Sequence, residues 1–159
     1  MKIKDEKTNV MRILDQKKVK YNSYNYLKTD AISGMEVAKA LNENPNLTFK
    51  TLVTVGKTNN HYVFLVPVNK ELDLKKAAKA VNEKNIEMAK SKELLSLTGY
   101  IHGGCSPIGM KKSFKTVIDS SAKNYDKLIF SGGKIGYQVE TTLDGLKKVI
   151  GFDLKDVVA

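Results

Sequence analysis

A chain of 159 residues, 42% apolar and 28% charged, is long enough for one hydrophobic core and too apolar for disorder over most of its length. Its single cysteine, Cys105, excludes an intramolecular disulfide framework, and with only two histidines, His61 and His102, a structural zinc would lack ligands, so neither metal nor cofactor is expected. Lys plus Arg number 27 against 17 Asp plus Glu, a formal charge of +10 that suits either a polyanionic partner or a lysine-rich solubilising surface, while a lone arginine, Arg12, excludes an arginine-rich nucleic-acid arm.

The opening residues 1–7 are charged throughout with no apolar run behind them, unlike a secretory leader. The longest apolar run, residues 62–68, is far too short to cross a bilayer, so the expectation is a cytoplasmic protein with no membrane partner. No repeat or Pro/Ser-rich linker divides residues 1–159, which read as one domain. Val10, Ile13 and Leu14, followed by Lys17 and Lys18, predict a first amphipathic helix, and the alternation over residues 21–26 predicts a strand. Ser33 and Glu36 have capping-box spacing ahead of a helix carried by Val37, Ala38 and Leu41, with Pro45 preventing its continuation past Asn44. Residues 49–55 and 62–68 predict two strands joined as a hairpin through residues 56–60. Asp73 is placed to cap a helix through Leu74, Ala77, Ala78 and Val81; Ser91 is placed to cap another through Leu94, Leu95 and Leu97, stopped by Gly99. Further strands are expected at residues 116–118, 127–130 and 135–140, and a last helix over 143–150 with Gly151 ending it. Strands and helices interleave without a βαβ repeat, which predicts a mixed α/β (α+β) fold with helices around a mixed sheet.

Three segments could carry chemistry. In Phe49-Lys50-Thr51-Leu52-Val53, strand alternation sets Phe49, Thr51 and Val53 on one face and Lys50 with Leu52 on the other, leaving Lys50 at a wet edge or in a cleft. Residues 99–112 hold four glycines and a proline, as either a glycine-rich connection or a loop whose backbone amides bind an anion, with Lys111 and Lys112 adding charge. Ser131-Gly132-Gly133 can offer a hydroxyl and amides to a ligand or form a plain hairpin, and its spacing is not that of a Walker A loop. Cys105 and His102 lie three apart, but no orienting carboxylate or amide stands at a meaningful spacing, and a lone cysteine is usually a small packed hydrophobe. The chain is poor in catalytic side chains.

In this order and spacing, Phe49-Lys50-Thr51-Leu52, the run Gly103-Gly104-Cys105-Ser106-Pro107-Ile108-Gly109-Met110-Lys111-Lys112, and Ser131-Gly132-Gly133-Lys134 followed by Gly136 resemble the YbaK/EbsC family of trans-editing deacylases, with Leu72-Asp73-Leu74-Lys75-Lys76-Ala77-Ala78 as a fourth match. The resemblance implies a partly barrel-like mixed sheet and clearance of tRNA(Pro) mischarged with cysteine, alongside prolyl-tRNA synthetase. It implies Lys50 as the residue binding or orienting the aminoacylated 3′ end of the tRNA. Tyr26, Thr51, Gly103, Gly104, Ser106, Ser131, Gly132, Gly133 and Gln138 are the implied substrate-binding residues. In the cysteine-specific branch, the substrate's own thiol attacks its ester. Where that branch has aspartate, this chain has Gln138, which keeps hydrogen bonding and loses the charge. Related editing domains act on alanine or other small residues, and the same fold can bind tRNA without hydrolysis.

Overall fold

The computed structural model describes residues 7–27 and 29–159; most of the charged opening lies outside them. Helix α1 (Asn9–Gln16) begins at Thr8, whose hydroxyl accepts from the Met11 N–H, and buries Val10, Met11 and Leu14. Strand β1 (Asn22–Asn25) follows. Helix α2 (Gly34–Ala40) opens with the expected reciprocal capping box between Ser33 and Glu36. It stops before Pro45 is reached. Asn42 turns left-handed at φ 55°, and the Glu43 N–H donates back to the Ala38 carbonyl at 2.7 Å, a Schellman closure.

Strands β2 (Phe49–Gly56) and β3 (His61–Pro67) form the predicted hairpin, in register from Phe49 opposite Pro67 to Val55 opposite His61. Asp73 caps α3 (Leu74–Ala80) by accepting from the Lys75 and Lys76 N–H groups. A short strand, β4 (Ile86–Met88), pairs antiparallel with β2 and was not anticipated from the sequence. Helix α4 (Ser91–Thr98) has Lys90 rather than Ser91 at its cap position, without a side-chain cap bond, and ends at left-handed Gly99 as expected. Then come β5 (Lys115–Asp119), a 3-10 turn at Ser120–Asn124, β6 (Leu128–Ser131) and β7 (Tyr137–Thr141). The last helix, α5 (Leu143–Lys147), is shorter than the apolar pattern suggested, and a second unanticipated strand, β8 (Asp153–Lys155), follows it.

The strands form two sheets, β1-β7-β6 and β4-β2-β3-β5-β8. The first is antiparallel throughout; in the second, β3–β5 and β5–β8 are parallel. One parallel bridge, Thr48 to Ile129, links the sheets at a corner, and they do not close into a barrel. The mixed α/β character is as expected.

Strand β3 shows why the layers stack. Val63 and Leu65 enter a core shared with Phe49, Val53, Phe130, Val139 and the buried face of α1. Tyr62, Phe64 and Val66 point the other way, onto Ala77, Ala78 and Val81 around α3. A strand covered on both faces reads as a continuous apolar run, and each such side chain contributes about 1.5–3 kcal/mol by burial. No helix among the described residues is long and apolar enough to cross a membrane.

Candidate active site

β4 pairs with β2 from Thr54 to Gly56 and the Ala89 N–H donates to the Val53 carbonyl, so the edge of β2 ahead of Val53 is left open. A cavity of about 530 Å³ lies along this edge and reaches Ser131 and Gln138 of the smaller sheet. That size suits a small-molecule or nucleotide-sized ligand. Because the edge is open, consecutive residues of β2 reach it: Phe49, Lys50, Thr51, Leu52 and Val53 all line the cavity.

Lys50 lies opposite Val66, with its side chain 28% exposed and its ammonium 3.7 Å from the exposed Glu71 carboxylate. A solvent-exposed partner at that distance holds the ammonium weakly, leaving it able to engage an anionic or carbonyl oxygen. Thr51 Oγ1 is buried in the wall and has no hydrogen-bond partner among the described residues. A buried hydroxyl left unpaired costs free energy, which a small shift of the wall toward a ligand group would recover. Tyr26 is also in the wall, fixed by its N–H donating to Gly136 at 2.8 Å and its carbonyl accepting from Thr29.

The glycine-rich segments divide. Gly103, at φ 90°, lines the cavity with His102 and Cys105. Gly104 and Ser106 are buried behind it: a Cβ on Gly104 would come within 3.1 Å of the Ile135 nitrogen, and the Ser106 hydroxyl accepts from the Ile108 N–H. Ser131 lines the cavity; its hydroxyl accepts from the Gly133 N–H at 3.1 Å and keeps its own proton to donate. The Gly132 amide is used in the β6–β7 hairpin, donating to Tyr137 at 2.9 Å, and Gly133 packs against Val10 and Tyr100. Of the ten residues named from the sequence, Lys50, Tyr26, Thr51, Gly103, Ser131 and Gln138 therefore converge on the cavity. Gly104, Ser106, Gly132 and Gly133 shape the loops behind it.

Cys105 is buried in the first core, and burial pushes its thiol up to about 11, against a smaller opposing effect of the Thr98 side chain. At neutral pH it stays protonated, unlike an activated nucleophile. Among the described residues no three His, Cys, Asp or Glu side chains gather as a metal site.

The residue that sequence reasoning missed is Glu43. Gln138, opposite Tyr24 on β1 and Ser131 on β6, lines the cavity and sets its side-chain amide against the Glu43 carboxylate; because an ionised carboxylate only accepts, the nitrogen is assigned to that side, where it donates to Oε2 at 2.6 Å and Oε1 at 3.2 Å. Partial burial, reinforced by the nearby Glu140 charge and opposed by the Gln138 hydrogen bond, raises the Glu43 carboxyl to about 7. No local signal marks Glu43, because the contact spans from the end of α2 to β7. Ile32, Met35 and Met88, all solvent-exposed, add apolar side chains to the cavity lining.

A family model for the aminoacyl-tRNA editing domain matches residues 30–149. A protein of Enterococcus faecalis (strain ATCC 700802 / V583), described as "Putative Cys-tRNA(Pro)/Cys-tRNA(Cys) deacylase EbsC", is 48% identical over 136 residues, 85% of this chain and 83% of that protein. Two solved structures share the fold. One, reported as "Crystal structure of a putative trans-editing enzyme for prolyl tRNA synthetase", has a TM-score of 0.80 at 24% identity, over 96% of this chain and 98% of that one. The other, hypothetical protein APE2540, has a TM-score of 0.85 at 20% identity, over 94% and 99%. The chain belongs to the aminoacyl-tRNA editing domain family.

Proposed function

We propose that this chain hydrolyses the ester of tRNA(Pro) mischarged with cysteine, working in the cytoplasm as one domain alongside prolyl-tRNA synthetase. The observation that carries the reading is the wall itself. A weakly held ammonium (Lys50) stands next in the chain to a buried hydroxyl with no partner among the described residues (Thr51), while the cavity's only thiol is kept protonated by burial. Such a site binds and polarises an ester without supplying a nucleophile of its own. The 48% identity to a protein named for Cys-tRNA(Pro) and Cys-tRNA(Cys) deacylation supports the same substrate class.

The chemistry then belongs to the substrate. Its cysteine sulfur attacks its own ester carbonyl, a carbon–sulfur bond forms, and the bond to the terminal ribose oxygen breaks. The thiol proton ends on that oxygen, releasing tRNA and a cyclic thioester that water opens to cysteine. Tethering supplies much of the rate, since effective molarities reach about 10⁵ M or more in well-oriented intramolecular reactions. Lys50 orients the aminoacylated 3′ end and stabilises charge developing on the carbonyl oxygen. Thr51, Ser131, the Gly103 backbone and Tyr26 hold the carbonyl and terminal adenosine, and the net charge of +10 attracts the acceptor stem.

The test is Lys50→Ala, read as the rate of Cys-tRNA(Pro) deacylation by purified protein. Loss of one charge-stabilising donor typically costs about 10²–10³-fold in rate. An unchanged rate in the folded variant would remove Lys50 from the mechanism. Binding of tRNA with no turnover in the wild-type chain would make it a recognition module.

A further inference from the structure

An aminoacyl ester carries one cationic hydrogen-bond donor, its α-ammonium, and the cavity must discriminate it from the uncharged amide of a peptidyl or acylated chain end. The structure offers a built acceptor for it. Gln138 is buried on β7, lines the cavity, and sets its amide against Glu43, so that the nitrogen assigned to that side donates to both carboxylate oxygens. An amide that gives its nitrogen to a carboxylate has its carbonyl oxygen left to face elsewhere. Glu43 does not line the cavity; it stands behind Gln138, its backbone fixed by the closure of α2.

We propose that Glu43 is a positioning residue that orients the Gln138 amide, so that the Gln138 carbonyl accepts a hydrogen bond from the substrate's α-ammonium. The proposal rests on the reading of the cavity as an aminoacyl-ester site and adds the group that recognises its amino end. Only the ionised carboxylate demands the nitrogen; a protonated Glu43 can donate to the amide oxygen and allow the opposite orientation. The groups around Glu43 are Gln138 and Glu140 on β7 and Tyr24 on β1. Glu140 is itself held, accepting from Asn22 Nδ2 and the Tyr24 hydroxyl, each at 3.0 Å, with Lys127 at 3.9 Å. Among the described residues Glu43 has no comparable set, and burial with the Glu140 charge brings its ionisation to about 7, within reach of physiological change. Ammonium binding and Glu43 ionisation are therefore linked, and each favours the other.

The experiment measures binding of 3′-(L-cysteinylamino)-3′-deoxyadenosine, whose amide resists hydrolysis, and of its N-acetyl counterpart. Wild-type protein, Glu43→Gln and the double variant Glu43→Gln/Gln138→Glu are titrated between about pH 5.5 and about pH 7.5, spanning Glu43 while much of the ligand amine stays charged. Wild-type protein is expected to prefer the free amine, with the preference growing about tenfold as pH rises through 7, the size of a hydrogen bond to a charged group. Glu43→Gln should lose both the gain and its pH dependence. The double variant, which moves the carboxylate to the cavity side, should regain the preference. Binding of both ligands without a pH-dependent preference would overturn the proposal and leave the cavity reading standing. An unaltered pH-dependent preference in Glu43→Gln would also overturn it. Failure of wild-type protein to bind either ligand would overturn both.

Discussion

Replacing Glu43 by glutamine should make the protein more stable above neutrality and leave it unchanged in acid. The native carboxyl ionises at about 7 against an ordinary value of 4.5. Between those values the native state holds a proton that the unfolded chain has released, so stability falls as pH rises. The contribution is fully present below 4.5 and is lost as pH passes about 7. A shift of that size corresponds to about 3 kcal/mol at most. The group is only half-buried, and solvent screening reduces the expected effect to about 1–2 kcal/mol. Glutamine resembles the protonated acid, keeps a hydrogen bond to Gln138 and has no ionisation to impose. Urea unfolding of both proteins at about pH 4.5, 6 and 8 reads the difference directly. The midpoints should coincide in acid and separate by roughly 0.5–1 M at the highest pH, with the variant more stable. A difference constant across pH, or a wild-type advantage growing with pH, would refute the assignment of Glu43 as a group whose ionisation opposes folding.

Lys50→Ala should change stability by less than about 1 kcal/mol, because its one ion pair among the described residues is to an exposed carboxylate 3.7 Å away, so the activity loss should come without a shifted melting curve. Cys105→Ala should retain most deacylase activity, since its buried thiol is held protonated; complete loss in a folded variant would revive a protein nucleophile. Gly133→Ala should destabilise by about 1–3 kcal/mol in thermal or urea unfolding, because the site has φ 91° and an added Cβ would lie 2.7 Å from Val10 Cγ2. An unaffected Gly133→Ala protein would mean the hairpin relaxes freely away from α1.

The sequence made local features legible and left cross-chain contacts hidden. Ser33 and Glu36, Asp73, and Gly99 each marked a helix end because capping depends on residues three or four apart. The β2–β3 hairpin was readable from two apolar runs around a polar, glycine-led turn. Strands β4 and β8 were not, because three-residue elements carry too little pattern and exist through their partners, β2 and β5. At the site, Lys50 and Thr51 stood out only beside the glycine-rich segments, and their motif order carried the resemblance. What the order could not show is which glycines face the cavity: Gly103 does, whereas the Gly132 amide is spent on the Tyr137 carbonyl. The missing charge at Gln138 looked like a loss in the sequence; in three dimensions a carboxylate 95 positions earlier in the chain lies 2.6 Å from that amide.

The most direct test is to incubate purified protein with Cys-tRNA(Pro), Ser-tRNA(Pro) and Ala-tRNA(Pro) and follow loss of each ester. Serine matches cysteine in shape but carries a far weaker nucleophile, so the comparison isolates the substrate thiol. Rapid loss of the cysteinyl ester alone is the predicted result. Equal or preferential loss of the alanyl ester would contradict thiol-assisted release and require an activated water in the same cavity.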